Sequence, residues 1–369
     1  MNRKKLIVIL LLSVLYGCKE RASIQDASAE MLDMSSAKVG TFSDFADRLF
    51  SGAECIAFTF DDKDAMFSSV DKVVCHSGCY YLMDGSLGKL VVADSNGKVI
   101  STIGRRGRGS DEFLQITDFD VDSDGSVWIL DGRKDKIFHY SDVYSFVNSK
   151  KLPYEISHIK CLPDNRMLVE LSSWDKSRYK GRQVIIVDAE FNVIGELLDY
   201  CLFDPDYELP SVGFSDCGET VLYHRPVDDM VYRIAYDGSL VQSYYFDFGP
   251  RTVPEQAHKS IERYWKDYKN YTTLVQSVYI DENVAIGKLL DSGKYVDFIF
   301  DRQSDIVFLR DKTYENMHFL GYFGDKVMFL VPAGADIDDM ALKDHFGMDN
   351  SENDLLIVIN ADIVDNDKK

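Results

Sequence analysis

The chain has 369 residues, 46% of them apolar and 28% charged, so a substantial core is available and wholesale disorder is excluded. Its formal charge of −20 repels phosphate backbones, and nucleic acid is not an expected partner. With 21 Tyr, 22 Phe and only 8 Pro, the composition leans towards β-structure.

Residues 1–17 read as a signal peptide. Asn2-Arg3-Lys4-Lys5 is a basic head, and Leu6 to Tyr16 is an apolar run of 11 residues. A bilayer span needs about 20, so the run fits a secretory segment. It ends in Leu15-Tyr16-Gly17-Cys18, which resembles the lipobox of bacterial lipoproteins, with Tyr16 in place of the usual small residue. The resemblance implies that Cys18 is acylated (palmitate among the chains) and becomes the new N-terminus. Two or three acyl chains anchor a protein stably. Lys19-Glu20 after the cysteine partly matches the surface-export signal of Bacteroidota lipoproteins, so the expected location is the outer membrane, on either face. Removing residues 1–17 takes away three basic residues and no acidic one, leaving the mature chain at −23.

Residues 18–40, rich in Ser, Ala and charge, read as a flexible tether, with the folded part at 41–369. Glu54–Phe60 alternates like a strand but has no repeat of its own. Cys75–Gly85 then aligns without gaps on Asp122–Gly132: turn, apolar strand, Asp-Gly. Weaker copies follow at Pro163–Val169, Asp216–Tyr223, Asp281–Ile286 and Gly324–Leu330. Each is followed by a second β-rich run, the last being Leu355–Ile359. Six units at roughly 40–65-residue spacing match the blade period of a propeller. The expected fold is therefore all-β, a six-bladed β-propeller, with Glu54–Phe60 completing the last blade beside Leu355–Ile359. Val253-Pro254-Glu255 opens a helical insertion over about 253–272. There Ile261, Tyr264, Trp265 and Tyr268 fall on one apolar face. A shorter insertion, 335–347, also reads as helical.

Ile103-Gly104-Arg105-Arg106-Gly107-Arg108-Gly109-Ser110-Asp111-Glu112-Phe113, with Asp118–Val121 and Trp128–Asp131, resembles NHL-type propeller repeats. Together with the lipobox and the closing strand, the chain is similar to the 6-bladed β-propeller lipoproteins of Bacteroidota over about residues 50–362. Ser110-Asp111 stands where those repeats have Pro-Gly. The resemblance implies a fold and a location but no activity.

Several candidate sites follow. Cys75 and Cys79 flank a tight turn and form a disulfide, remain as two thiols, or bind metal with His76. Asp120, Asp122, Asp124 and Asp131 have the spacing of an EF-hand calcium loop, but the flanking strands make a plain hairpin the competing reading. Arg105, Arg106 and Arg108 form a basic loop suited to an anionic ligand, or to pairing with neighbouring acids. Asp84 and Asp131 end equivalent strands, where they line a channel mouth or cap loop amides. There is no His-Glu-x-x-His, Gly-x-Ser-x-Gly or P-loop. No cofactor is expected apart from calcium at the aspartates. The expected function is a membrane-anchored binding or scaffold propeller for a protein, peptide or glycan. The alternative is a metal-dependent, lactonase-like hydrolase or lyase with its site at the channel mouth.

Overall fold

The second and third strands of each repeat are almost continuously apolar because both of their faces are covered. In β5 (Cys79–Asp84), Tyr81 and Met83 pack towards the following repeat while Leu82 packs towards the preceding one. In β6 (Lys89–Ala93), Leu90 and Val92 face forwards and Val91 and Ala93 face back. A small sheet of this kind is stable only between two others, and a ring supplies that arrangement.

The computed structural model describes residues 29–61, 65–200, 213–225, 227–276, 278–335, 345–347 and 354–361. Six antiparallel sheets follow one another around an axis. Blade 1 holds β4 (Lys72–His76), β5, β6 and β7 (Val99–Ile103). Blade 2 holds β8 (Asp118–Val121), β9 (Val127–Asp131), β10 (Lys136–Tyr140) and β11 (Phe146–Lys151). Blade 3 holds β12 (Ile156–Leu162), β13 (Arg166–Leu171), β14 (Arg182–Val187) and β15 (Val193–Asp199). Blade 4 holds β16 (Phe214–Cys217), β17 (Thr220–His224), β18 (Met230–Ala235) and β19 (Leu240–Asp247). In blade 5, β20 (Thr272–Leu274) and β21 (Tyr279–Ile280) both pair with β22 (Val284–Asp291), followed by β23 (Lys294–Asp301) and β24 (Ile306–Leu309).

Blade 6 is built from both ends of the chain. β25 (His318–Phe323), β26 (Lys326–Val331) and β27 (Leu355–Asn360) are joined by β3 (Glu54–Ala57), with Ile56 opposite Leu356 and Cys55 opposite Ile357. The closing strand therefore sits where the alternating pattern puts it.

The ordered body begins before Thr41, which corrects the tether boundary. β1 (Glu30–Asp33) runs parallel to β19, and β2 (Lys38–Thr41) runs parallel to β24. The outer edges of blades 4 and 5 offer unpaired amides and carbonyls, and the polar upstream segment satisfies them despite its composition. α1 (Phe42–Leu49) follows, held by a capping box between Thr41 and Asp44. Its Phe42, Phe45 and Leu49 are buried, and Phe45 stacks on Phe308 at 4.5 Å. Cys18 and the rest of the expected signal and tether segments lie outside the described residues, as does most of 335–347.

The helical insertion forms α2 (Glu255–His258) and α3 (Ile261–Asp267) between β19 and β20. Tyr264 is fully buried with Val227, Val253, Ala257, Val275 and Leu290, and Ile261 and Tyr268 pack against them. Trp265 departs from the expected face and is 45% exposed, because the short α3 lays only the Tyr264 side on the blade.

The connections are unevenly distributed. On one face, turns between first and second strands and between third and fourth strands are five residues or fewer. The strand ends that bound the longer connections, 58–71, 104–117, 200–213, 248–271 and 332–354, open on the opposite face.

Candidate functional site: a charged funnel on the long-loop face

The first strand of each blade lines the axis, so its alternate side chains meet in the channel. In β8 these are Asp118 and Asp120, and in β12 they are His158 and Lys160. They form two stacked layers of charge. In the upper layer, Lys72 Nζ donates to Asp118 Oδ1 at 2.7 Å and to the Phe119 carbonyl at 2.8 Å. Asp118 Oδ2 accepts the Ile159 amide at 2.8 Å. His158 Nδ1 stands 3.5 Å from Asp118 Oδ2, and its Nε2 stands 3.9 Å from Glu170 Oε2. In the lower layer, Lys160 Nζ lies 2.8 Å from Asp120 Oδ2 and 2.7 Å from Asp216 Oδ2. Asp120 also accepts the Cys161 amide at 2.6 Å. Blades 1 to 4 are thus tied across the axis by alternating charges.

Burial works against every ion here, and the partners decide the outcome. Burial would raise Asp118, but Lys72 and His158 hold it below the usual carboxylate range. Burial would lower His158, but Asp118 and Glu170 raise it above an ordinary histidine. Lys160 is likewise raised by Asp120 and Asp216 against the effect of burial. For Glu170 burial prevails over His158 and Arg225, and its carboxyl is pushed up.

Above these layers opens a cavity of about 920 Å³ on the long-loop face. Its wall takes Ser68, Asp71 and Ser86 from blade 1, Gln115, Thr117 and Arg133 from blade 2, and Ser157 from blade 3. Gln276 and Lys288 come from blade 5, with Asp354 from blade 6. Apolar side chains, among them Met83, Ile116, Ile156 and Leu320, also line it. On the blade 5 side, Lys288 Nζ lies 3.7 Å and Arg310 Nε 2.8 Å from opposite oxygens of the buried Asp297. His318 beside them is pushed down to about 4 by burial and by these two cations.

Of the residues singled out from sequence, Asp120 falls in the lower charge layer, and the other described ones lie elsewhere. The Arg loop follows β7, the outermost strand of blade 1, and Arg105, Arg106 and Arg108 do not line the funnel. Arg105 Nε pairs with Glu112 Oε1 at 2.8 Å, and Glu112 Oε2 accepts the Gly109 amide at 2.7 Å. The stem of Arg106 lies over Gly88, and Arg108 is exposed. Glu112 thus holds the loop through Arg105 and the Gly109 amide.

The EF-hand spacing is corrected by the register. Asp120 pairs across to Trp128 and Val121 to Val127, so the stretch is a hairpin. Gly125 has a φ of 88° and donates to the Asp122 carbonyl at 2.9 Å. Asp120 turns inward to Lys160, Asp122 and Asp124 accept amides within the turn, and Asp131 lies at the far end of β9. The four carboxylates do not converge, and among the described residues no group of three or more His, Cys, Asp or Glu side chains is placed to hold a metal ion. Asp131 accepts the Leu114 amide at 2.6 Å, and Asp84 accepts the Ser68 amide at 2.6 Å. These two equivalent acids pin the connection leading into their own blade.

The disulfide reading is also corrected. Ser77 and Gly78, with φ of 49° and 78°, form a two-residue turn that places His76 opposite Cys79 and Cys75 opposite Tyr80. Cys75 packs towards blade 6, with its Sγ 3.7 Å from Met328 Sδ, while Cys79 packs towards blade 2. They lie on opposite faces of one sheet, and both are free. Nor does the Cys75-His76-Cys79 metal reading survive this register.

Lys72, Asp118, His158, Glu170, Lys160 and Asp216 were not among the sequence candidates. For all but Glu170, which stands on the second strand of blade 3, the signal is a polar residue in the first strand of a blade, where apolar ones would otherwise stand.

Fold and site together define a six-bladed propeller with a blind, charge-lined funnel on one face. The chain belongs to the DUF5128 6-bladed beta-propeller family, whose profile matches residues 20–323. Among solved structures it is similar to a Bacteroides fragilis protein described as exported, with a TM-score of 0.66 and 17% identity. That match covers 89% of this chain and 98% of the other. A DUF4221 family member from Bacteroides vulgatus matches with a TM-score of 0.51 and 10% identity, over 83% and 96% of the two chains. No curated protein matches the sequence. Among the described residues, no helix is long and apolar enough to cross a membrane.

Proposed function

We infer that this is an exported lipoprotein, held at the outer membrane through Cys18, whose propeller binds a protein, peptide or glycan partner in the funnel. The observation that carries the reading is the asymmetry of the two faces. Long connections and the 920 Å³ cavity share one side, while the other has only tight turns. Stiff sheets carrying variable loops suit recognition. The described wall carboxylates already have partners. Asp71 accepts the Gly85 amide, Asp118 holds Lys72, and Asp354 accepts the Ala333 amide. That arrangement supports recognition over the metal-dependent hydrolase or lyase alternative, which a metal titration of the purified chain addresses directly.

The test is site-directed photo-crosslinking in membranes, with the probe at Ser86 on the funnel rim or at Asn96 in a hairpin turn of the opposite face. Partners captured from the Ser86 position alone support the reading; capture from Asn96 alone refutes it. Cys18→Ser is expected to release the protein from the membrane fraction and abolish palmitate labelling. Retention of either refutes the anchor.

A further inference from the structure

We propose that the funnel receives a peptide segment through a carboxylate, seated against Arg133 on its wall. The proposal rests on the funnel being the binding site and adds the chemistry of its occupant.

The described wall is balanced in charge where the chain as a whole is strongly acidic. The protein carries −20, yet the described wall presents Lys72, Arg133 and Lys288 against Asp71, Asp118 and Asp354. The three acids are already engaged, two by backbone amides and one by Lys72. Behind Lys288 the buried Asp297 faces two cations, Lys288 and Arg310, which leaves a positive excess on that side. Arg133 is the exposed cation of the wall. Its backbone amide is held by Asp131 Oδ1 at 3.2 Å, so its main chain is fixed. Among the described residues no acidic side chain lies within ion-pair distance of its guanidinium, in a chain where acids outnumber bases by 61 to 41. An exposed guanidinium with no acidic partner is free to take a carboxylate in the two-pronged geometry that suits it.

The rest of the wall favours a peptide. Met83, Ile116, Ile156 and Leu320 offer apolar surface for a side chain, and Gln115 and Ser157 offer groups suited to a peptide backbone. A sugar would want an exposed ring face. The aromatic residue of the described wall is Phe319, which is 2% exposed.

The test is fluorescence anisotropy on the full mature chain. One probe is a labelled hexapeptide with two Glu and a free C-terminal carboxylate, and the other is its Gln, C-amidated counterpart. The acidic peptide is expected to bind at least tenfold more tightly, and the preference should shrink as salt is raised. Arg133→Gln should erase the preference, Arg133→Lys should keep part of it, and Ser86→Trp, which fills the rim, should abolish binding. Equal binding of the two peptides, indifference to Arg133→Gln, or binding of neither peptide overturns the proposal. So does tighter binding of a trigalacturonate probe than of the acidic peptide. If the neutral peptide binds as well as the acidic one and Ser86→Trp removes both, the funnel stands and the carboxylate proposal falls. If the acidic peptide binds but ignores Ser86→Trp, the funnel itself is wrong.

Discussion

Replacing Lys160 with Met removes the cation that holds the lower charge layer together. Asp120 and Asp216 would then face each other across the axis without a counter-charge. Asp120 is almost fully buried, with one remaining amide partner in Cys161. Breaking a buried ion pair from one side costs about 3–5 kcal/mol, because the orphaned charge stays buried. The Cys161 amide keeps the expected value near the lower end. With about 2.1 cal/mol/K of unfolding entropy per residue, a chain of this length loses roughly 1.3 °C of Tm per kcal/mol, so the drop should be about 4–6.5 °C. Calorimetry at pH 7 reads it. Replacing Asp120 and Asp216 by Leu in the Lys160→Met background should recover most of the loss. A Tm change under about 2 °C for Lys160→Met alone, or no recovery in the triple variant, would refute the account of the channel as an ion-paired plug.

Asp229 is fully buried and accepts from Thr273 Oγ1 at 2.6 Å and the Leu274 amide at 3.1 Å, yet burial outweighs these bonds and pushes its carboxyl up to about 8. The folded state therefore holds a proton that the unfolded chain releases above about pH 4, and stability falls as pH rises from there to about 8. Asp229→Asn should gain on the wild type steadily over that window and level off above it; a pH-independent difference in denaturant midpoint contradicts this. Ile56→Asp puts an unpaired carboxylate between blades 6 and 1 and should cost about 3 kcal/mol or more, with proteolysis opening the closing strand, whereas Val39→Asp on the exposed side of β2 should stay within about 0.5 kcal/mol. Intact-mass and alkylation mapping of the denatured, unreduced protein should label Cys75 and Cys79 separately, and a peptide pair linked between them would overturn the blade 1 register.

What could be read from the sequence was what repeats locally. Tyr81, Leu82 and Met83 alternate between two blade interfaces, and the Ser77-Gly78 and Asp124-Gly125 turns mark where strands reverse, so strand pairs and their number are written in neighbouring residues. Glu54–Phe60 was legible for the opposite reason: an alternating strand with no hairpin partner of its own must find an edge. The charge layers were not legible, because Lys72 meets Asp118 and Lys160 meets Asp120 only after the ring closes, at separations of 46 and 40 residues. The calcium-like spacing at Asp120–Asp131 misled because a loop motif and a hairpin share the same aspartates and differ only in where the strands place them. The tether estimate failed at 30–40 because a polar composition says nothing about an open sheet edge waiting elsewhere in the fold.

These long-range pairs also decide what kind of cavity the funnel is. An open channel would let a ligand pass from face to face, but the axis is filled twice, by Lys72 with Asp118 and by Lys160 with Asp120 and Asp216. Below the second layer, Tyr322 is buried, and Arg233 bonds the Ile280 carbonyl, which ties blade 4 to the short inner strand of blade 5. The void beside Lys160 is about 20 Å³, room for about one water molecule. On the binding role proposed above, a ligand would arrive and leave by the long-loop mouth. A blind, rigid floor with charges already neutralised makes little contribution to selectivity by itself, so discrimination falls to the rim, where Arg133 and the connections from several blades meet the solvent. Variation in those connections can then change the partner without disturbing the ion pairs that hold the blades to one another.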